Sequence, residues 1–229
     1  MTKRLALIAA LLFCARFVFA GDVATFVNLG FSPDAHYYLF AEYGVTGSSK
    51  PYASIYGVNV AENSFLPDGV RERSYDAILQ PGQDGFGAFL TLFSSYVPIS
   101  AKYHIDHLLI GRELYLLVDG AQPQGQLTFR DFVGDSDYTV LLNQTSYGSG
   151  KSVSSSYYID LTIKTKSGRT LHYVVGHPDL KRNGVENYRI RRILMGPDNK
   201  SLVFVIEKHE LDASGYNVRF MVETVHTDL

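Results

Sequence analysis

The amino-acid sequence predicts an all-β protein, antiparallel and repeat-derived, propeller-like with a β-sandwich as the alternative, and carrying one inserted helix near residues 84–97. Three observations lead there. The chain holds 16 Tyr and 14 Phe and no Trp, and Tyr, Phe, Val, Ile and Thr suit the pleated, half-buried surface of a sheet. A short turn with an aspartate recurs between apolar runs. One window alone shows clear helical spacing.

The first twenty residues stand apart. Lys3 and Arg4 open them, Leu5 to Leu12 form an unbroken apolar run, and the segment ends Val18-Phe19-Ala20. A positive start, a short apolar stretch and small residues at the end are the grammar of a secretory signal peptide, with cleavage between Ala20 and Gly21. The run is too short to span a bilayer, and Arg16 interrupts its continuation. Cys14 follows the bulky Phe13 and does not read as a lipid-attachment site. Residues 21–229 are then a single β-rich domain without cysteine, and no disulfide can staple it. All 23 acidic residues but only 18 of the 21 basic ones remain in it, a formal charge of −5. That balance excludes the basic field that nucleic acid selects. The basic cluster Lys181, Arg182, Arg189, Arg191 and Arg192, interrupted by Glu186, reads as a solvated strand face.

The repeat begins at Phe31. Phe31-Ser32-Pro33-Asp34-Ala35-His36-Tyr37-Tyr38-Leu39-Phe40 aligns without gaps to Met195-Gly196-Pro197-Asp198-Asn199-Lys200-Ser201-Leu202-Val203-Phe204, and a weaker copy runs from Phe132 through Asp135 to Leu141. Proline presets φ for a turn and aspartate bonds its own backbone two residues on, so Pro33, Asp34, Asp135, Pro197 and Asp198 are expected as structural turn residues between paired strands. Gly/Ser loops at Gly47–Lys50 and Gly148–Lys151 each precede a further strand, Ser54–Val60 and Tyr157–Ile163. Lys166-Ser167-Gly168-Arg169 turns the chain into another, Thr170–Val175, and Asn217–Val222 continues the last unit. The wide gap between the first two turns leaves room for a fourth, degenerate unit.

That gap holds the helix. Asp84 can cap it, Phe86, Phe89, Leu90, Phe93, Tyr96 and Val97 recur at three- and four-residue spacing, and Pro98 is expected to end or kink it. His107–Ile110 and Glu113–Val118 then read as strands around Gly111-Arg112.

The Phe31-Ser32-Pro33-Asp34 turn with Tyr37-Tyr38-Leu39-Phe40 resembles the blade repeat of TolB-type β-propellers, which implies a binding platform. The stretch Gly21–Asp34, with Tyr103-His104-Ile105-Asp106 and Gly111-Arg112-Glu113-Leu114-Tyr115, is similar to a family of predicted secreted bacterial proteins of unknown function. That likeness implies export and no particular activity.

Candidate chemistry is sparse. His104 and His107 flank Asp106 and are the best metal candidates, without an identifiable third ligand. Gly148-Ser149-Gly150-Lys151-Ser152 looks like the end of a phosphate loop, but Thr145 occupies the place of its first glycine and a strand follows where a helix is required. Asp131, Asp135 and Asp137 lack the glycine and final glutamate of a calcium loop. No serine sits in a Gly-x-Ser-x-Gly elbow. The expectation is a periplasmic or secreted, non-enzymatic binding or scaffold module. It needs no cofactor, its partner is another envelope protein or a small ligand, and its mature chain has no membrane span. The alternative is a hydrolase or metal-dependent enzyme using scattered His and Asp residues.

Overall fold

A computed structural model describes residues 21–212 and 215–229. The expected signal peptide and Ala20 lie outside the described residues, and Gly21 is the first of them. Among the described residues thirteen strands form three antiparallel sheets beside a single α-helix. The first sheet is a meander of β1 (Thr25–Phe31), β2 (Tyr37–Val45), β3 (Pro51–Asn59) and β4 (Ser64–Ser74). After the helix α1 (Phe86–Lys102), β5 (Arg112–Leu116) goes to the edge of the third sheet. The second sheet follows: β6 (Gln126–Asp131), β7 (Ser136–Tyr147) and β8 (Ser154–Lys164), with β9 (Thr170–Val175) and the short β10 (Arg182–Asn183) both pairing β8. The chain then returns to complete the third sheet with β11 (Val185–Met195), β12 (Ser201–Asp212) and β13 (Gly215–His226), in the order β13-β12-β11-β5.

Alternation along each strand sets how the sheets pack. On the third sheet Ile193, Leu202, Phe204 and Ile206 join Val140, Ile159 and Leu161 of the second in one apolar cluster. Their neighbours Leu194, Val203 and Val205 join Tyr38, Phe40 and Val58 of the first in another. Burial on both faces explains why Leu202–Ile206 is an unbroken apolar run. The first sheet's other face, with Leu39, Ala41, Ala53 and Ile55, packs against Phe89, Leu92 and Tyr96 of α1. The layers therefore run helix, first sheet, third sheet, second sheet. No apolar cluster among the described residues joins the first sheet to the second, and no closed ring of blades is detected. The sequence gap that left room for a fourth unit holds the end of the first sheet, α1 and β5 instead.

Four local expectations are corrected. The helix runs on to Lys102, through Pro98 and beyond the expected end at 97; only about one turn follows the proline, so the single missing N–H is tolerated. Its buried stripe is Ala88, Phe89, Leu92, Tyr96 and Ser100, while Phe86, Leu90 and Val97 face solvent. The small residues Ala88 and Ser100, invisible to a search for large apolar side chains, fix the face against the sheet. Asp84 accepts a hydrogen bond from the Phe86 amide at 3.1 Å, but the cap position is Gly85. A Cβ there would lie 2.3 Å from the Gly44 carbonyl oxygen, so only glycine lets the helix start so close to β2. His107–Ile110 is turn and loop in place of the expected strand, held by Phe31 N donating to the Leu109 carbonyl at 2.8 Å.

Candidate functional site

The site grows out of a parity rule. On β2 the residues facing the third sheet are Tyr38, then Phe40, and the next in that row is Glu42. Its cross-strand partner is Ser54 on β3. Where this row meets β4 and the β12–β13 hairpin, a cavity of about 360 Å³ is lined by Glu42, Tyr52, Tyr56, Glu72, Lys208 and Arg219, with Arg73 and Glu210 among the other lining residues. Its size falls within the range of small-molecule sites.

Glu42 is 4% exposed. Its Oε2 accepts the Phe220 amide at 2.7 Å, while its Oε1 has no hydrogen-bond partner among the described residues. Burial pushes its carboxyl up to about 7, against the Phe220 amide and the charges of Lys208 and Arg219, with Glu210 adding to the rise. The cations nearby are already engaged. Arg219 Nη2 donates to Asp22 Oδ2 at 2.6 Å, and its guanidinium lies 4.7 Å from the centre of the Tyr52 ring, whose hydroxyl donates to Asp22 Oδ1. Lys208 Nζ donates to Glu210 Oε1 at 2.7 Å. Tyr56 donates to Glu72 Oε1 at 2.8 Å, and burial pushes that phenol well above its ordinary value, keeping it a donor. Asp22 also ties the start of the domain to β13: Val218 N donates to its carbonyl at 2.8 Å. A half-satisfied buried acid in a polar cleft can hold a donor-rich ligand or exchange a proton near neutral pH.

A second cavity of about 500 Å³ lies among the turn-bearing ends of the second and third sheets, lined in part by Asp131, Tyr138, Lys166 and Asp198. The Tyr138 hydroxyl is buried without a partner and is pushed up to about 12, mainly by that burial. The carboxylates here serve the fold. Asp198 Oδ1 accepts the amides of Lys200 and Ser201 at 3.1 and 2.9 Å, and Oδ2 the Ser201 hydroxyl at 2.7 Å.

The turn residues are placed as follows. Pro33-Asp34 and Pro197-Asp198 lie in turns closed by the same backbone pattern: Ser32 N to Tyr37 O at 2.9 Å and Gly196 N to Ser201 O at 2.7 Å, with Ala35 and Asn199 left-handed at φ 58° and 55°. Asp34 Oδ1 accepts the Ser32 hydroxyl and the His36 amide. Asp135 does not play the same part. It is itself left-handed, φ 49°, and its carboxylate pairs with Arg130 and Lys166. The carboxylate that folds back on this turn is Asp131, which accepts the Val133 amide at 3.0 Å and a bidentate Arg112 at 2.6 and 2.9 Å. Asp137 pairs with Arg130 as well, so the three aspartates considered for calcium are held by arginines.

The two histidines sit just beyond α1. His107 Nδ1 lies 2.6 Å from the Leu29 carbonyl, which only accepts, so Nδ1 carries a proton; Nε2 meets the Ser100 hydroxyl at 3.0 Å. Both nitrogens are thus engaged within the protein. His104 is exposed with φ 53°. No group of three or more His, Cys, Asp and Glu that could hold a metal occurs among the described residues. Gly150–Ser152 is a single 3₁₀ turn leading into β8, without the helix a phosphate loop needs.

A protein-family model described as predicted secreted protein (DUF2259) matches residues 39–226. The chain belongs to this family. The match includes Tyr103–Asp106 and Gly111–Tyr115 and begins after Gly21–Asp34. It assigns the protein an exported location, periplasmic or secreted, and no activity. No helix among the described residues is long and apolar enough to cross a membrane. No curated protein and no solved structure matches the chain.

Sequence reasoning passed over Glu42, Tyr52, Tyr56, Glu72, Lys208 and Arg219. One signal was there to use: Glu42 occupies the inward parity of a strand whose other inward residues are Tyr38 and Phe40.

Proposed function

We propose that this exported protein is a non-enzymatic binding module that holds a small ligand in the cleft between its first and third sheets. One observation carries the reading. Glu42, as buried as the apolar core around it, spends only one carboxylate oxygen on the protein and lines a cavity with the other unclaimed. A fold dominated by packing would fill that position with an apolar side chain or satisfy both oxygens. The framework we infer is a stacked β-sandwich extended by a third layer, supported by the two apolar clusters on opposite faces of the third sheet. We further infer a mature N-terminus at Gly21, which N-terminal sequencing checks.

The test is ligand retention. Protein purified from its native envelope without denaturation, then unfolded, releases a small molecule detected by mass spectrometry. A Ser54→Trp variant that fills the cavity releases none while keeping the wild-type fold by circular dichroism. Equal release from both proteins, or none from either, overturns the reading. A hydrolase is the second reading, favoured by the value near 7 for Glu42, which suits a general acid. Turnover of any substrate abolished by Glu42→Gln, with binding kept, would move the assignment there. A metal-dependent version would show stoichiometric zinc that is lost on mutating His104 and His107.

A further inference from the structure

We infer that the ligand of this cleft is an organic cation, a protonated amine or guanidinium held by Glu42 Oε1 and Glu72 Oε2. The inference rests on the binding reading above and narrows it to a ligand class.

The charges around the cavity divide into spent and unspent. Arg219 is held by Asp22 and Tyr52, and Lys208 by Glu210. Arg73, on the same rim, stacks over Tyr75 with its guanidinium 5.2 Å from the ring centre. An anionic ligand would have to draw Arg219 or Lys208 from its carboxylate; Arg73, exposed at the rim, has no carboxylate partner among the described residues. The acceptors are different. Glu42 Oε1 and Glu72 Oε2 have no hydrogen-bond partner among the described residues, since Phe220 and Tyr56 each engage only the other oxygen. At Glu42, the most buried of the lining carboxylates, the cavity therefore offers an acceptor that no donor of the protein has claimed, the complement of a group that only donates.

The aromatic residues decide against a sugar. A pyranose that stacks needs a free ring face, and Tyr56 already stacks on Phe40 at 4.9 Å and on Phe65 at 5.6 Å from the two flanking strands. Arg219 lies over Tyr52. What remains for recognition is charge and hydrogen bonding from the two glutamates.

The groups facing Glu42 set the pH dependence. They are Tyr52 and Tyr56 from β3, Glu72 and Arg73 from β4, Lys208 and Glu210 from β12, Arg219 from β13, and Asp22 ahead of β1. Tyrosines and arginine keep their charge states across neutrality, so Glu42 is the group that titrates there, ionising near 7. Cation affinity rises as pH increases through that value.

Isothermal titration of the exported protein with argininamide, cadaverine and choline, and with neutral citrullinamide, mannitol and anionic glutarate as counter-probes, tests the inference. At least one cation binds saturably at about pH 8, at least about tenfold tighter than every counter-probe, the ratio expected for one charge-assisted hydrogen bond. Its affinity drops about tenfold in Glu42→Gln and again toward about pH 6 in the wild type but not in that variant. Glu72→Gln on the cavity rim gives a smaller loss. Binding of none of the cations, or binding that Glu42→Gln leaves unchanged, overturns the inference. The cleft reading would survive such a failure if a neutral or anionic probe binds and Ser54→Trp abolishes it, and would fall with it if no probe binds and the native protein releases no small molecule.

Discussion

Two glutamates sit at equal depth beside the same strand, β13, and are treated in opposite ways. Glu223 on β13 is 3% exposed and Glu42 on β2 is 4% exposed. Glu223 is saturated: Oε1 accepts the Tyr157 hydroxyl at 2.8 Å with Arg182 Nη2 at 3.5 Å, and Oε2 accepts Asn63 Nδ2 at 2.5 Å. Those partners come from the second sheet and from the β3–β4 turn of the first, so one carboxylate on the third sheet binds all three sheets. Glu42 has a single amide. The difference teaches that burial alone does not mark a functional acid; what marks it is acceptor capacity left over after the fold has taken its share.

Breaking the saturated glutamate should have the largest effect. Glu223→Ala strands the Arg182 guanidinium, which is 17% exposed and stacks over Tyr157, and removes the acceptor for two further donors. A loss of about 3–5 kcal/mol in denaturant-derived stability is expected, as for other buried pairs left with one partner. A loss under about 1 kcal/mol, the scale of a single hydrogen bond, would show that Glu223 is not the tie between the sheets.

The opposite sign is expected at Glu42. The unfolded chain ionises this residue near its ordinary 4.5, the fold only near 7. Between those values the folded state holds more protons, so its contribution to stability is whole below about 4.5 and is lost as pH rises through 7. Glu42→Gln removes this penalty. The variant should match the wild type at about pH 4 and exceed it by up to about 3 kcal/mol at about pH 8, the span from 4.5 to about 7 converted at about 1.36 kcal/mol for each tenfold change in proton concentration. Parallel stability–pH curves would show that Glu42 ionises as easily in the fold as outside it, and the contrast with Glu223 would lose its basis.

The contrast also shows what the sequence could reveal. Strands and turns were legible because their determinants are local: an apolar run at Tyr37–Ala41, a Pro-Asp turn before it, an unbroken apolar run at Leu202–Ile206. The helix was legible in existence but not in facing, because Ala88 and Ser100 contribute to its buried stripe as much as Phe89 does. Asp135 lies in the turn between β6 and β7, while the carboxylate that accepts an amide of that turn, Asp131, lies on the strand before it, where a search for turn residues does not look. The cleft was hidden for a different reason. Glu42, Tyr56 and Glu72 share the first sheet, but Lys208 and Arg219 join them only through the stacking of a sheet that comes much later in the chain, and no local period encodes that.

The smallest expected effect compares the two repeated turns, where the aligned aspartates differ in burial. The Asp34 side chain is 57% exposed and that of Asp198 18%. The Ser32 hydroxyl, with help from the His36 amide and ring, outweighs the opposing effect of burial and holds Asp34 down to about 2. Its stabilising contribution is therefore present above about 3.8 and fades as pH falls through 2; at this exposure solvent screening limits it to under about 1 kcal/mol. Asp198 is more enclosed. Burial alone would raise its carboxyl, but the Ser201 and Lys200 amides outweigh that and hold it below its ordinary value. Asn keeps an oxygen for the turn amides at either place, so Asp34→Asn and Asp198→Asn should each cost less than about 0.5 kcal/mol. Leucine removes every bond: about 1 kcal/mol at Asp34 and about 2 kcal/mol at Asp198, where the amides of Lys200 and Ser201 lose their acceptor in a less solvated turn. Thermal unfolding of the four variants near neutral pH reads the order directly. Equal losses for the two leucine variants would mean that the sequence repeat outweighs local burial; an Asn variant that keeps its stability but loses a measured ligand would make that turn part of a binding face.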